Sequence, residues 1–209
     1  MPLIDSLISE GWLKTPRIIE AFRKIKREDF LPVGMQDAAE FNGALPIGFG
    51  QTISQPLTVA FMLEKLEPKE GENILDVGSG SGWTTALLSE IAGKNALPAG
   101  RQGKVTAMEI IPELKELGEK NTAKYGFIEN GVAEFICGDG SKGYDKNAPY
   151  DKILVSASAG KLPGALKEQL KVGGKIVIPV KESIWVFRKT AENFFEEQEY
   201  PGFLFVPLV

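Results

Sequence analysis

The side chains able to do chemistry in this 209-residue chain gather at three turns, each following a short apolar run. Asp76 belongs to the first, residues 73–82 (NILDVGSGSG), where Gly78, Gly80 and Gly82 let the backbone turn sharply and approach a ligand. Glu109 closes the second, in KVTAMEI. Asp139 lies between Gly138 and Gly140 at the third. An acid at the end of a strand in a nucleotide-binding α/β sheet reaches ribose hydroxyls, which suits Glu109. Asp139 could accept a hydrogen bond from an exocyclic adenine amine, or serve as an ordinary turn aspartate. The sequence has no histidine and one cysteine, so His-based triads, His general bases and His metal sites are excluded, and no metal is expected. The glycine spacing is G-x-G-x-G. A dinucleotide fingerprint needs its third glycine where Trp83 stands, which argues against hydride transfer.

The elements that must position these residues follow from apolar spacing. Ile74, Leu75 and Val77 read as a strand covered on both faces, and Trp83 to Ala92 as the helix after the glycine turn. Lys104 to Ile110, Val132 to Cys137, Asp151 to Ala157 and Lys175 to Val180 read as further strands. Pro112 to Tyr125 and Pro163 to Leu170 read as helices between them. The alternation predicts an α/β, doubly wound, Rossmann-like sheet, mostly parallel. A C-terminal antiparallel strand pair is expected from Ser183 to Lys189 and Gly202 to Leu208. Cys137 is expected to be a buried small hydrophobe. Residues 93–103 (GKNALPAGRQG) read as a surface loop.

Upstream, Thr15-Pro16 starts a helix with Ile18, Ile19, Phe22 and Ile25 on one face. Arg23, Lys24, Lys26 and Arg27 fall mostly on a face expected to be solvated. Residues 35–56 read as irregular yet apolar, a long loop of the kind that is usually functional. Leu57 to Leu66 is a helix, for which Ser54 is a candidate N-cap. The expectation is one domain over 1–209, with N-terminal helices and a loop in 1–56 and the sheet core in 57–209.

The formal net charge of −4 argues against a phosphate-tracking nucleic-acid surface. No apolar run reaches the ~18 residues of a membrane span, and no basic leader is visible. A cytoplasmic, monomeric protein without nucleic-acid or membrane partners is the expectation.

Two stretches carry a family resemblance. The G-x-G-x-G turn after a strand ending in an acid resembles motif I of class I S-adenosylmethionine (AdoMet)-dependent methyltransferases. The loop LPIGFGQTISQP, Leu45 to Pro56, resembles the signature of protein-L-isoaspartate O-methyltransferases. LDVGSGSG, AMEI, GDG, APYDKILVSASA, GGKIVIPV and FVPL follow in that family's order, and IIEAFRKIKREDFLP is similar to its opening helix. The resemblance implies an enzyme that methylates the α-carboxylate of L-isoaspartyl residues in proteins and peptides, using AdoMet, so that the ester collapses to a succinimide. It implies Ser54 as the active-site serine, with Gln51, Thr52 and Ile53 shaping the substrate and cofactor loop. It places Asp76, Gly78 and Gly80 at the methionine end of AdoMet, Glu109 at the ribose, and Asp139 with Gly140 at the adenine. A carboxylate substrate is ionised at neutral pH and needs no general base, so a chain without histidine can do this reaction. A small-molecule methyltransferase and a non-catalytic AdoMet-binding module are the alternatives on the same fold.

Overall fold

The computed structural model describes residues 1–93 and 102–208, so most of the 93–103 loop lies outside the described residues. The chain begins with helices α1 (Leu3–Ser9) and α2 (Pro16–Lys24), then a hairpin of strands β1 (Leu45–Gly48) and β2 (Gln51–Ile53). The alternating core follows: α3 (Pro56–Leu66), β3 (Asn73–Val77), α4 (Trp83–Ala92), β4 (Lys104–Glu109), α5 (Pro112–Ala123), β5 (Ala133–Cys137) and β6 (Tyr150–Val155). It closes with α6 (Gly164–Glu168) and strands β7 (Leu170–Val180), β8 (Ser183–Ala191) and β9 (Phe194–Pro201).

The large sheet has seven strands in the order β5-β4-β3-β6-β7-β8-β9. Neighbours from β5 to β7 are parallel, and the β7–β8 and β8–β9 pairs are antiparallel. The chain runs outward from β3 through β4 to β5, then crosses back to β6 on the other side of β3. That reversal makes the carboxyl ends of β3 and β6 a topological switch point, where open α/β sheets bind ligands. Side chains alternate across β3. Ile74 joins a core with α3, α4 and α2, while Leu75 and Val77 join a second core beneath α6.

Four expectations are corrected. The final antiparallel partner of β8 is β9, not residues 202–208. Thr190 Oγ1 and the hairpin register bring Phe194–Pro201 back along β8 at once, and the Gly202 turn then releases the chain. Cys137 is exposed, because it is the last residue of the edge strand β5, where packing against the strand's buried face ends. The N-cap of α3 is Gln55, not Ser54, and makes no side-chain cap bond; the Leu57 amide donates instead to Asn42 Oδ1 at 3.1 Å. Arg27 is not solvated. Its side chain is buried at 6% exposure, because α2 ends at Lys24 and the turn after it directs Arg27 inward. Residues 35–56 also hold more order than expected, in a short 3-10 turn at Gln36–Ala38 and the β1–β2 hairpin.

Candidate functional site

A cleft opens at the carboxyl ends of β3, β4, β5 and β6. One wall is the glycine turn, with Glu109, Gly138, Gly140, Ser156 and Ala157 around it; the other is Gln51 to Ser54 with Val206 to Leu208.

The glycine turn is built by close approach. Gly78 and Ser79 donate their amides to Met108 O, at 2.9 and 3.1 Å, tying the end of β3 to that of β4. Gly82 has φ +86, and a Cβ there would lie 2.5 Å from Gly118 O and 2.8 Å from Thr122 Oγ1. Only glycine lets α5 come this near. From α5, Asn121 Nδ2 donates to Ser81 O at 3.0 Å and Thr122 Oγ1 donates to Gly82 O at 3.3 Å. The turn is thus fixed by a helix as well as by the sheet, and α4 starts at Trp83 with its N-terminal amides at the cleft.

Glu109 is held from behind. One carboxylate oxygen accepts from Gly80 N at 2.9 Å, the other from Ile110 N at 2.9 Å and Ile111 N at 3.1 Å. Three backbone donors fix its orientation, and the group still borders the cleft. Gly140 sits against the end of β3, where a Cβ would fall 2.4 Å from Val77 Cγ1, so a side chain there would displace that wall.

Asp76 and Asp139 do not border the cleft. Asp76 is fully buried behind the turn and accepts from Thr85 Oγ1 at 2.6 Å. Burial, with a smaller contribution from the Glu109 charge, pushes its carboxyl up to about 7 against the favourable Thr85 bond. Asp139 caps a 3-10 turn, accepting from Ser141 N at 3.0 Å and Ser141 Oγ at 2.6 Å, with Lys142 Nζ at 3.2 Å. These partners hold its carboxyl below the usual range, led by the Ser141 hydroxyl.

The opposite wall hangs on a residue that sequence reasoning placed elsewhere. Arg27 Nη1 donates to Ala39 O at 3.2 Å and Phe41 O at 2.8 Å; Nη2 donates to Gly43 O at 2.7 Å and Ser54 O at 3.2 Å. The guanidinium also lies 5.5 Å from the centroid of the Trp83 ring. One cation therefore joins both ends of the 39–54 loop to the first residue of α4. Desolvation lowers its pKa to about 10, still well above neutrality. No periodicity marked Arg27. Only the structure shows that the chain has left its helix before reaching it. Val206 to Leu208 complete this wall because Ser158 N donates to Val206 O at 2.7 Å and Leu208 N donates to Ser158 O at 2.8 Å. Two polar groups of the cleft region, Ser79 Oγ and Trp83 Nε1, are buried without a hydrogen-bond partner.

Of the residues singled out from sequence, the cleft thus gathers Gln51, Thr52, Ile53, Ser54, Gly78, Gly80, Glu109 and Gly140. Among the described residues, no group of three or more His, Cys, Asp or Glu side chains is arranged to hold a metal ion.

Comparison with known proteins agrees with this geometry. A sequence model of the protein-L-isoaspartate(D-aspartate) O-methyltransferase family matches residues 1–209. The protein-L-isoaspartate O-methyltransferase of Methanopyrus kandleri is 40% identical, over 99% of this chain and 89% of its own length. That of Ignicoccus hospitalis is 42% identical, over 99% of this chain and 95% of its own. In three dimensions the chain is similar to a Plasmodium falciparum protein-L-isoaspartate O-methyltransferase solved with S-adenosyl-L-homocysteine, with a TM-score of 0.86, 21% identity, and coverage of 99% of this chain and 96% of that one. With a family match along its whole length and relatives near 40% identity, the chain belongs to the protein-L-isoaspartate(D-aspartate) O-methyltransferase family.

Proposed function

We propose that this protein methylates the free carboxylate of L-isoaspartyl residues in proteins and peptides, with AdoMet bound at the strand-end wall and the substrate carboxylate at Ser54. The observation that carries the reading is the facing of the two walls across one cleft. AdoMet supplies, when bound, a methyl group on a positively charged sulfur. The residues present fit it. Glu109 offers a carboxylate fixed by three amides for ribose hydroxyls. Gly140 packs against Val77 with no space for a side chain, which keeps this part of the cleft wall in place, and the buried Ser79 hydroxyl lacks a partner that a polar ligand would supply.

The chain's own part is alignment and exclusion of water. An ionised carboxylate is already the nucleophile, so Ser54 has no proton to remove. Its hydroxyl orients the oxyanion, while Gln51 to Ile53 and Val206 to Leu208 shield the reacting oxygen from solvent. Arg27 keeps Ser54 in place through its carbonyl. Asp76 acts behind the glycine turn by fixing Thr85 in the first turn of α4. Asp139 shapes the turn that carries Gly140. The same reading takes the protein as a cytoplasmic monomer acting on polypeptides rather than nucleic acid, supported by its net charge of −4. Among the described residues no helix is long and apolar enough to cross a membrane.

The test is methyl transfer from labelled AdoMet to an isoaspartyl peptide and to its aspartyl twin. Label in the first alone is expected. Equal labelling of both, or of neither while a small carboxylate is methylated, would overturn the reading.

A further inference from the structure

We propose that the groove beside Ser54 binds an apolar or aromatic side chain of the substrate polypeptide, one to three residues from the isoaspartyl residue, and so sets a sequence preference. The proposal rests on the reaction assigned above and extends that site outward.

The groove continues both walls of the cleft. On one side the cleft wall ends at Ser54 and the groove begins at Gln55, running on through Leu57 and Phe61 of α3. On the other the cleft wall starts at Val206, and the groove is formed by Tyr200 to Leu204 just before it. A polypeptide whose carboxylate lies at Ser54 is thus one residue of chain away from the lining of this groove. Leu57 is three residues from Ser54, at most about 10 Å along the chain, which limits the reach to about three extended residues of a substrate.

The lining fixes the chemistry of the occupant. Phe61 is the centre of an aromatic cluster, 6.3 Å from Trp12, 5.1 Å from Tyr200 and 5.0 Å from Phe203 between ring centroids. Leu204 stands at the rim with 82% of its surface exposed. None of the lining residues is charged. The amide of Gln55 is engaged within the protein, accepting from Thr58 Oγ1 at 3.3 Å and donating to Asn42 O at 3.1 Å. Lys65 Nζ sits over the Tyr200 and Phe61 rings, at 4.3 and 5.3 Å from their centroids, so this cation is already matched to aromatic faces. A second groove, under β8, has a different character. Lys161, Lys167, Lys181, Glu182, Glu197 and Glu199 ring it, and it is not continuous with the substrate loop. An apolar side chain burying its surface against Phe61, Phe203 and Leu204 gains enough to change affinity about tenfold.

The experiment uses two isoaspartyl heptapeptides that differ only in carrying Phe or Ser at the second residue on each side of the modified position. The wild-type protein is expected to show a KM about tenfold lower for the Phe peptide. Leu204→Asp places a charge on an exposed rim residue that the fold does not depend on. It is expected to erase that difference while leaving kcat, AdoMet affinity and the KM of the Ser peptide unchanged. Equal KM values in the wild type, a preference that survives in Leu204→Asp, or a dimer that Leu204→Asp dissociates would each overturn the proposal. The last would make the groove a contact between copies. Methylation of neither peptide would instead defeat the assigned reaction, and the proposal with it.

Discussion

The two walls of the cleft are built by opposite means. The strand-end wall is made of backbone: parallel strands deliver their last residues side by side, and the glycine turn is fixed by amide hydrogen bonds donated to Met108 O and by α5 pressing on Gly82. The loop wall has little regular structure of its own, a hairpin of short strands and a C-terminal tail. Its loop part is gathered chiefly by one side chain, since the carbonyls of residues 39, 41, 43 and 54 converge on Arg27, while Ser158 holds the tail. A wall made of backbone tolerates side-chain changes but no added atoms at its close contacts. A wall made by a clamp tolerates loop changes but not loss of the clamp.

That contrast can be broken at several points. The largest expected effect is Gly82→Ala. The added Cβ would meet Gly118 O at 2.5 Å at a φ of +86, so α5 must retreat. A stability loss of roughly 3 kcal/mol by urea unfolding is expected, with weaker AdoMet binding. Ser54→Ala should lower kcat for an isoaspartyl peptide by roughly tenfold, the loss of one hydrogen bond to a charged group, with AdoMet affinity unchanged by calorimetry. An unaltered kcat would remove Ser54 from the reaction.

A smaller effect should come from Asp76→Asn. Because the Asp76 carboxyl is raised to about 7 in the folded protein, the folded state is not penalised below about pH 4, and loses stability as pH rises through about 7. Asparagine keeps an oxygen for Thr85 and removes that titration. In cofactor-free protein the variant should melt near the wild type at pH 4 and roughly 5 °C higher at pH 8. The same offset at both pH values would rule out the titration as its cause.

The strand-end wall was legible in the sequence because its causes are local. Apolar runs, glycines at every second position and acids at the ends of runs each dictate a backbone state within a few residues. Of its acids, Glu109 lies in the cleft. Asp76 lies behind it, because strand alternation turns position 76 toward α4 rather than the ligand. The loop wall was legible as a long, apolar loop of functional kind, but its part in the site came only through the family resemblance of residues 45–56. Nothing local to Arg27 reveals that it will gather carbonyls up to 27 residues away. The exchange of residues 202–208 for Phe194–Pro201 as the last strand has a similar origin. Both stretches have strand-like composition, and hairpin closure after β8 decides between them. Cys137 shows the same limit, since its run is apolar but its strand is an edge.

The division between the walls is tested most directly at the clamp. Arg27→Met keeps most of the apolar stem over Trp83 and removes every guanidinium bond to the loop. AdoMet affinity by calorimetry and the single-turnover rate of isoaspartyl peptide methylation should be measured on the same protein. The dissociation constant for AdoMet should stay within about threefold of wild type while the methylation rate falls by at least about tenfold. An affinity that falls in step with the rate, or a rate that does not fall, would contradict that division.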